Sequence, residues 1–173
     1  MPPFDDLEYG ATLRGLAPGQ RMFGRFELVR ILGRGGMGVV WLARDTQLQE
    51  DVALKFLPDE LLGDAGAMEE LKRETRRSRL LTHQNIVRIN EFFQEGRVAG
   101  ISMEYVDGDT LSNLRYQEDR RCFEVAEIRE WMRQICEALS YAHEDAKVAH
   151  RDLKPANLMV TRGGKAKVTD FGI

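Results

Sequence analysis

Apolar and polar positions along this chain change period about two thirds of the way through. From Phe26 to Leu32 the residues are largely apolar or β-branched, and they run into Gly33. Val39-Val40-Trp41-Leu42-Ala43 then resumes as a second strand, so the pair reads as a hairpin turned by glycine. Val52 to Leu57 makes a third strand, closed by Pro58. A helix is predicted over roughly 65–82, with Met68, Leu71 and Leu81 near one face and Arg73, Arg76, Arg77 and Arg79 mostly on the others. Two more strands follow, about 86–94 and 98–104, with a turn at Glu95-Gly96. Beyond Asp107-Gly108-Asp109 the period becomes helical. The clearest helix, about 124–144, carries Ile128, Trp131, Met132, Ile135, Leu139 and Ala142 as one stripe. Short strands near 158–160 and 166–169 flank Gly163-Gly164. The pattern predicts an α+β chain: a five-stranded antiparallel unit with one helix, then a mainly helical part.

Composition narrows the class. With 173 residues, 25 Lys+Arg and 28 Asp+Glu, the chain carries a formal charge of −3. It lacks the basic excess of nucleic-acid binders. No long uncharged apolar run is present to span a membrane, and the N-terminus has no signal-peptide pattern. Residues 1–20 hold three of the five prolines and read as a mobile leader, with order from about Arg21. Cys122 and Cys136 have neither disulfide-framework nor metal-ligand spacing. Cys136, in the helical stripe, is expected to be a buried thiol, and a reducing, cytoplasmic setting follows as the default.

The chemistry begins at Gly33-Arg34-Gly35-Gly36-Met37-Gly38-Val39-Val40, which fits G-x-G-x-x-G-x-V. Glycines are needed where backbone amides approach phosphate closely and a Cβ would intervene. A dinucleotide fingerprint runs from strand into helix, whereas this loop runs into a strand. A plain glycine hairpin remains the alternative at this point. Val52-Ala53-Leu54-Lys55 weakens it: Ala53 and Lys55 share one face of a strand while Val52 and Leu54 take the core face. A small residue can lie under a flat base while the lysine reaches its phosphates. Glu74, three residues after Leu71 and close to the apolar stripe, is an inward carboxylate that needs a partner, and Lys55 is the candidate. An exposed glutamate on an arginine-rich helix is the bland alternative.

His150-Arg151-Asp152-Leu153-Lys154-Pro155-Ala156-Asn157 is decisive. Phosphoryl transfer to a hydroxyl needs a carboxylate to orient the nucleophile and take its proton, a cation against developing charge, and oxygen ligands for magnesium. Asp152, Lys154 and Asn157 supply these within six residues. Asp170-Phe171-Gly172 adds a second metal ligand, and this combination in this order is the protein-kinase set.

On these motifs residues 21–173 resemble a eukaryotic-like (bacterial-type) serine/threonine protein kinase. The resemblance implies an N-lobe over 21–106 and the first part of a C-lobe over 107–173. It implies an ATP site of Leu32, Gly33, Arg34, Gly35, Gly36, Met37, Gly38, Val39, Val40, Ala53 and Lys55. Met103 falls at the gatekeeper, Glu104-Tyr105-Val106 at the adenine-pairing hinge, and Met159 beneath the base. Glu74 matches the helix-C glutamate, nine residues before His83. Asp152 matches the catalytic base, with Asn157 and Asp170 as Mg2+ ligands; Lys154 is typical of serine/threonine kinases. Arg151 resembles arginines that receive a phosphorylated activation loop, with structural packing as its other reading. His150 is expected beside Phe171, and His83 is expected to cap a turn. Ser78 departs from the pattern, since a larger apolar group is common there.

The family's activation loop and substrate platform would follow Ile173. The expectation is therefore nucleotide binding by this chain with weak or absent protein phosphorylation, and exposure of the apolar stripe on 124–144. The partners implied are ATP and protein substrates bearing Ser or Thr. A non-catalytic, pseudokinase-like module is the alternative, although Lys55, Asp152 and Asp170 are all present. A small-molecule kinase is disfavoured by Lys154 and the glycine loop.

Overall fold

A computed structural model describes residues 15–35 and 38–171. Residues 1–14 of the expected leader, Gly36 and Met37 of the glycine loop, and Gly172 and Ile173 lie outside the described residues. Residues 15–20 are described, and Gly19 N donates to Leu28 O and Leu28 N to Gln20 O, so order starts before Arg21. The chain divides into two compact units, one built from residues up to Arg73 with Ile89–Tyr105, the other from Glu74–Arg88 with Val106 onward. Residues 74–88, kept with the first part in the sequence reading, group with the second unit.

The first unit is an antiparallel sheet of six strands: β1 (Arg21–Met22), β2 (Phe26–Gly35), β3 (Gly38–Asp45), β4 (Glu50–Phe56), β5 (Ile89–Glu95) and β6 (Val98–Glu104), in the order β1-β2-β3-β4-β6-β5. Five strands were expected; β1 is the addition, and two residues are too few to show a period. Alternation sorts the side chains. Val39, Trp41, Ala43, Val52, Leu54 and Phe56 enter one apolar cluster with Phe26 and Leu28. Phe23, partly buried, stacks on Phe56 and Phe93 with centroids 6.1 and 5.3 Å apart. The β3–β4 corner is fixed by Asp45, which accepts from Gln47 N and Leu48 N and pairs with Arg25 at 2.6 Å. Those donors hold its carboxyl below the ordinary carboxylate value, the Arg25 hydrogen bond most of all.

After a single turn, α1 (Asp59–Leu62), comes α2 (Ala65–Ser78). Asp64 starts α2 by accepting from Gly66 N and Ala67 N at 2.9 and 3.0 Å. The helix stops four residues short of the sequence estimate. Leu80 N and Leu81 N bond to Arg77 O and Ser78 O, three residues back, so the chain tightens into a turn. Met68, Leu71 and Leu81 are buried as the stripe required.

In the second unit α3 (Leu111–Gln117) is capped by Thr110, whose side chain accepts from Asn113 N. Helix α4 (Val125–Ser140) starts on a capping box between Glu124 and Glu127 and passes into a π-helical turn, Tyr141–Asp145. A small sheet, β7 (Gly108–Thr110), β8 (Leu158–Thr161) and β9 (Ala166–Val168), runs in the order β7-β8-β9. Ile135, Ala138 and Ala142 pack with Leu111, Leu158, Val160, Ala166, Val168 and Phe171. Cys136 is exposed, against expectation. One helical step separates it from Ile135, about 100° around the axis, and this takes it off the buried stripe.

Val125 is 72% exposed, and within α4 only Ile135 and Ala138 are buried. No helix among the described residues is long and apolar enough to cross a membrane.

Candidate active site

The glycine-flanked hairpin joins β2 to β3 in the register Gly33↔Val40, Arg34↔Val39, Gly35↔Gly38. Its glycines differ physically. At Gly38, φ is +111° and a Cβ would lie 1.9 Å from the Phe56 carbonyl oxygen, so the main chains of β3 and β4 touch where only glycine fits. At Gly33 and Gly35 a Cβ meets no described atom. Steric need therefore explains Gly38 and leaves the other two unexplained by packing.

The cross-strand register assembles the rest of this face. Val40 lies opposite Lys55, Leu42 opposite Ala53, Lys55 opposite Ile101 and Ala53 opposite Met103. Directly paired residues share a sheet face. Val40, Ala53, Lys55 and Met103 therefore lie together, on the face opposite the Phe26–Phe56 cluster. Ala53, Lys55 and Met103 are 7%, 5% and 6% exposed. A lysine this enclosed is uncommon outside ion pairs and functional sites. Leu32 and Arg34 are exposed on the hairpin, and Glu104 is half-buried at the end of β6.

In the second unit the residues expected to form the catalytic loop come together. Lys154 Nζ stands 2.7 Å from Asp152 Oδ2. Asn157, on the short 3-10 turn Pro155–Asn157, donates through Nδ2 to Asp152 O at 2.9 Å and Oδ2 at 3.2 Å. Asp152 is held below its ordinary value, first by the Lys154 hydrogen bond. It is thus a carboxylate at neutral pH, fixed from two sides. The Asn157 amide nitrogen is committed to Asp152, which leaves the amide oxygen as the group's acceptor. Thr169 N donates to Asn157 O at 3.0 Å, tying the residue before Asp170 to the same turn. An amide oxygen and a carboxylate are the hard donors magnesium prefers, so the residue types fit that ion. Val106 is buried, and Met159 is half-buried in β8, opposite Thr110 and Lys167.

His150 organises the segment. Its ring lies 4.7 Å from that of Phe171, as expected. Nε2 is 2.8 Å from Thr169 O, and Nδ1 accepts from Asp152 N at 3.3 Å. A carbonyl can only accept, so the proton sits on Nε2. His83 Nδ1 accepts from Asn85 N, the turn cap foreseen for it. Arg151 (φ +67°) and Asp170 (φ +59°) adopt left-handed backbone, a conformation concentrated at functional sites.

Two contacts were not foreseen. Arg151 Nη1 donates to Glu74 Oε1 at 2.9 Å, so an arginine of the catalytic loop holds the carboxylate assigned to Lys55. Ser78, flagged only as a departure, is 3% exposed and donates to Phe171 O at 2.7 Å. A serine at a buried helical position was the signal for the second; the first has none in the sequence.

Residues 26–173 match the protein kinase domain family, and the chain belongs to that family. It is 37% identical over 155 residues to the serine/threonine-protein kinase PrkC of Bacillus subtilis, covering 90% of this chain and 24% of the relative. It is 36% identical over 160 residues to the serine/threonine-protein kinase PknA of Mycobacterium tuberculosis, covering 90% and 36%. The chain thus spans a quarter to about a third of these relatives. The crystal structure of the Mycobacterium tuberculosis PknI kinase domain superposes with a TM-score of 0.81 at 30% identity, covering 92% of this chain and 64% of that one. The α+β kinase fold and the bacterial serine/threonine kinase kinship stand on these matches.

Proposed function

We propose that the complete protein transfers the γ-phosphoryl group of ATP to serine or threonine hydroxyls of proteins. In this reading the chain holds the ATP and Mg2+ ligands and the catalytic loop. The observation that carries it is the cluster of Asp152, Lys154 and Asn157, a carboxylate kept ionised beside a lysine ammonium and an amide. Asp152 orients the attacking hydroxyl and takes its proton, and Lys154 offsets charge on the transferred group. Gly33, Gly35 and Gly38, with Gly36 and Met37 between them, form the phosphate lid, and Lys55 reaches the α- and β-phosphates. Val40, Ala53, Met103 and Met159 enclose the base, and main-chain groups of Glu104 and Val106 pair with its edge. Asn157 and Asp170 would hold Mg2+, which would supply neutralising charge beside the phosphates.

The same proposal places the N-lobe before 106–107, the C-lobe after it and the protein in the cytoplasm; the net charge of −3 supports no nucleic-acid partner. Glu74 favours a second reading for the chain alone. Its carboxylate already has a partner within its own unit, Arg151, which suits a module that binds nucleotide without turnover.

Phosphate transfer from radiolabelled ATP to a generic basic protein, by a version extended to full kinase length, tests the proposal. Asp152→Asn should abolish transfer with nucleotide affinity kept, and Lys55→Met should abolish it too. Unchanged turnover in either variant sinks the assignment. Transfer to small alcohols but not proteins would move the activity to a different class of kinase.

A further inference from the structure

We infer that Ser78 is a positioning residue for the metal-binding aspartate, acting through the Phe171 carbonyl. The inference rests on the reading of Asp170 as a Mg2+ ligand and adds a residue outside the kinase signature.

Asp170 has φ +59°, a backbone state that costs an L-residue free energy and persists only when its neighbours are fixed. The peptide on its N-terminal side is fixed by two bonds: Thr169 N donates to Asn157 O, and His150 Nε2 donates to Thr169 O. On the other side Phe171 is held by its ring, 4.7 Å from His150, and by its carbonyl, which accepts from Ser78 Oγ at 2.7 Å. The Ser78 hydroxyl comes from the last residue of α2, 93 positions earlier in the chain. Ser78 and Phe171 are 3% and 2% exposed, so no water can replace the donor without a cavity opening. Serine hydroxyls in and beside helices can bond to backbone groups of their own segment. Here it bonds across to the segment that sets the Asp170 carboxylate. An alanine would keep the packing and leave a buried carbonyl without its donor. The aspartate would then sample right-handed backbone, which turns its side chain elsewhere.

The test measures affinity of this chain for a fluorescent ATP analogue in EDTA and across a Mg2+ titration, for wild type, Ser78→Ala and Ser78→Thr. Wild type is expected to bind more tightly as Mg2+ is added. Ser78→Ala should match wild type in EDTA and need about fivefold more Mg2+ for half its effect. Ser78→Thr, which keeps the hydroxyl, should stay within about twofold of wild type. A full Mg2+ response in Ser78→Ala overturns the inference. So does an equal loss in Ser78→Thr at unchanged melting temperature, since packing rather than the hydroxyl would then be responsible. Hydrogen exchange at the amides of Asp170 and Phe171 provides a readout without nucleotide: faster exchange in Ser78→Ala supports the pin, and unchanged exchange refutes it. No Mg2+ effect in wild type would instead overturn the ligand role of Asp170, with the exchange result still deciding the pin.

Discussion

Replacing Gly38 by alanine separates two reasons for having glycine in the β2–β3 loop. At φ +111° an L-residue lies outside even the left-handed helical region, a strain of roughly 1–3 kcal/mol. The new Cβ would sit 1.9 Å from Phe56 O, against about 3.3 Å for a close carbon–oxygen contact. That oxygen belongs to the main chain of β4, so relief requires β3 and β4 to part near the Val39↔Phe56 pair. Losing one or two ladder bonds adds about 1 kcal/mol each. A total of about 3 kcal/mol lowers the melting temperature by roughly 6–12 °C in a chain of this size. Gly35→Ala is the control. Its Cβ meets no described atom, and the smaller unfolded-state entropy of alanine makes it neutral or stabilising by about 0.5 kcal/mol. If loop amides approach the phosphates, the same methyl should weaken ATP binding by about tenfold, equivalent to ~1.4 kcal/mol. Calorimetric melting and nucleotide titration on both variants decide the matter. A Gly38→Ala melting temperature within 2 °C of wild type, a margin of about half a kcal/mol, would refute the steric argument.

Three further outcomes follow from bonds already described. Arg25→Met should cost about 2 kcal/mol at pH 7 in urea denaturation, below the full loss for a buried pair because Arg25 is 22% exposed and Asp45 keeps two backbone donors. Asp45 has its carboxyl lowered by Arg25, so the pair stabilises above the unfolded carboxylate value and loses that effect as pH falls through the folded one; the deficit should shrink towards pH 3, about one unit below the ordinary value. Lys154→Met removes the main cause of the Asp152 depression, and a carboxyl-carbon NMR titration should show Asp152 moving back up; no movement would mean another group holds it. Thr110→Ala deletes the cap of α3 at a cost of about 1 kcal/mol, a melting shift of roughly 2–4 °C.

Most of the candidate chemistry was legible because it lies in short contiguous runs. Gly33–Val40, Val52–Lys55 and His150–Asn157 each carry their own spacing, and the period-2 pattern of β4 told which of its residues face together. Register between strands was not legible. That Val40 lies opposite Lys55 depends on how β3 and β4 slide past each other, and the bulges in β2 shift such pairings without a mark in the sequence. Long-range polar contacts escaped for a related reason. Arg151 meets Glu74 across 77 positions and Ser78 meets Phe171 across 93, and no local pattern relates residues so distant. Cys136 shows the limit of a stripe drawn by residue type, since one helical step decides burial.

Asn85 gives the last strand before Asp170 a built-in ruler. Its side-chain amide donates to Ala166 O at 2.7 Å and to Gln134 Oε1 at 3.0 Å, and Gln134 in turn accepts from Ala166 N. Its main-chain oxygen takes Val168 N, and Val87 N returns a bond to Val168 O. These partners recognise positions 166 and 168 and would miss them after a slip of one residue, which would also turn Lys167 into the core. The free edge of β9 is occupied by the same bonds, which shuts out pairing with a foreign strand. An insertion or deletion in the Arg162–Lys165 turn should therefore be absorbed in the turn itself. The distance from β9 to the aspartate stays constant while the loop before it is free to vary.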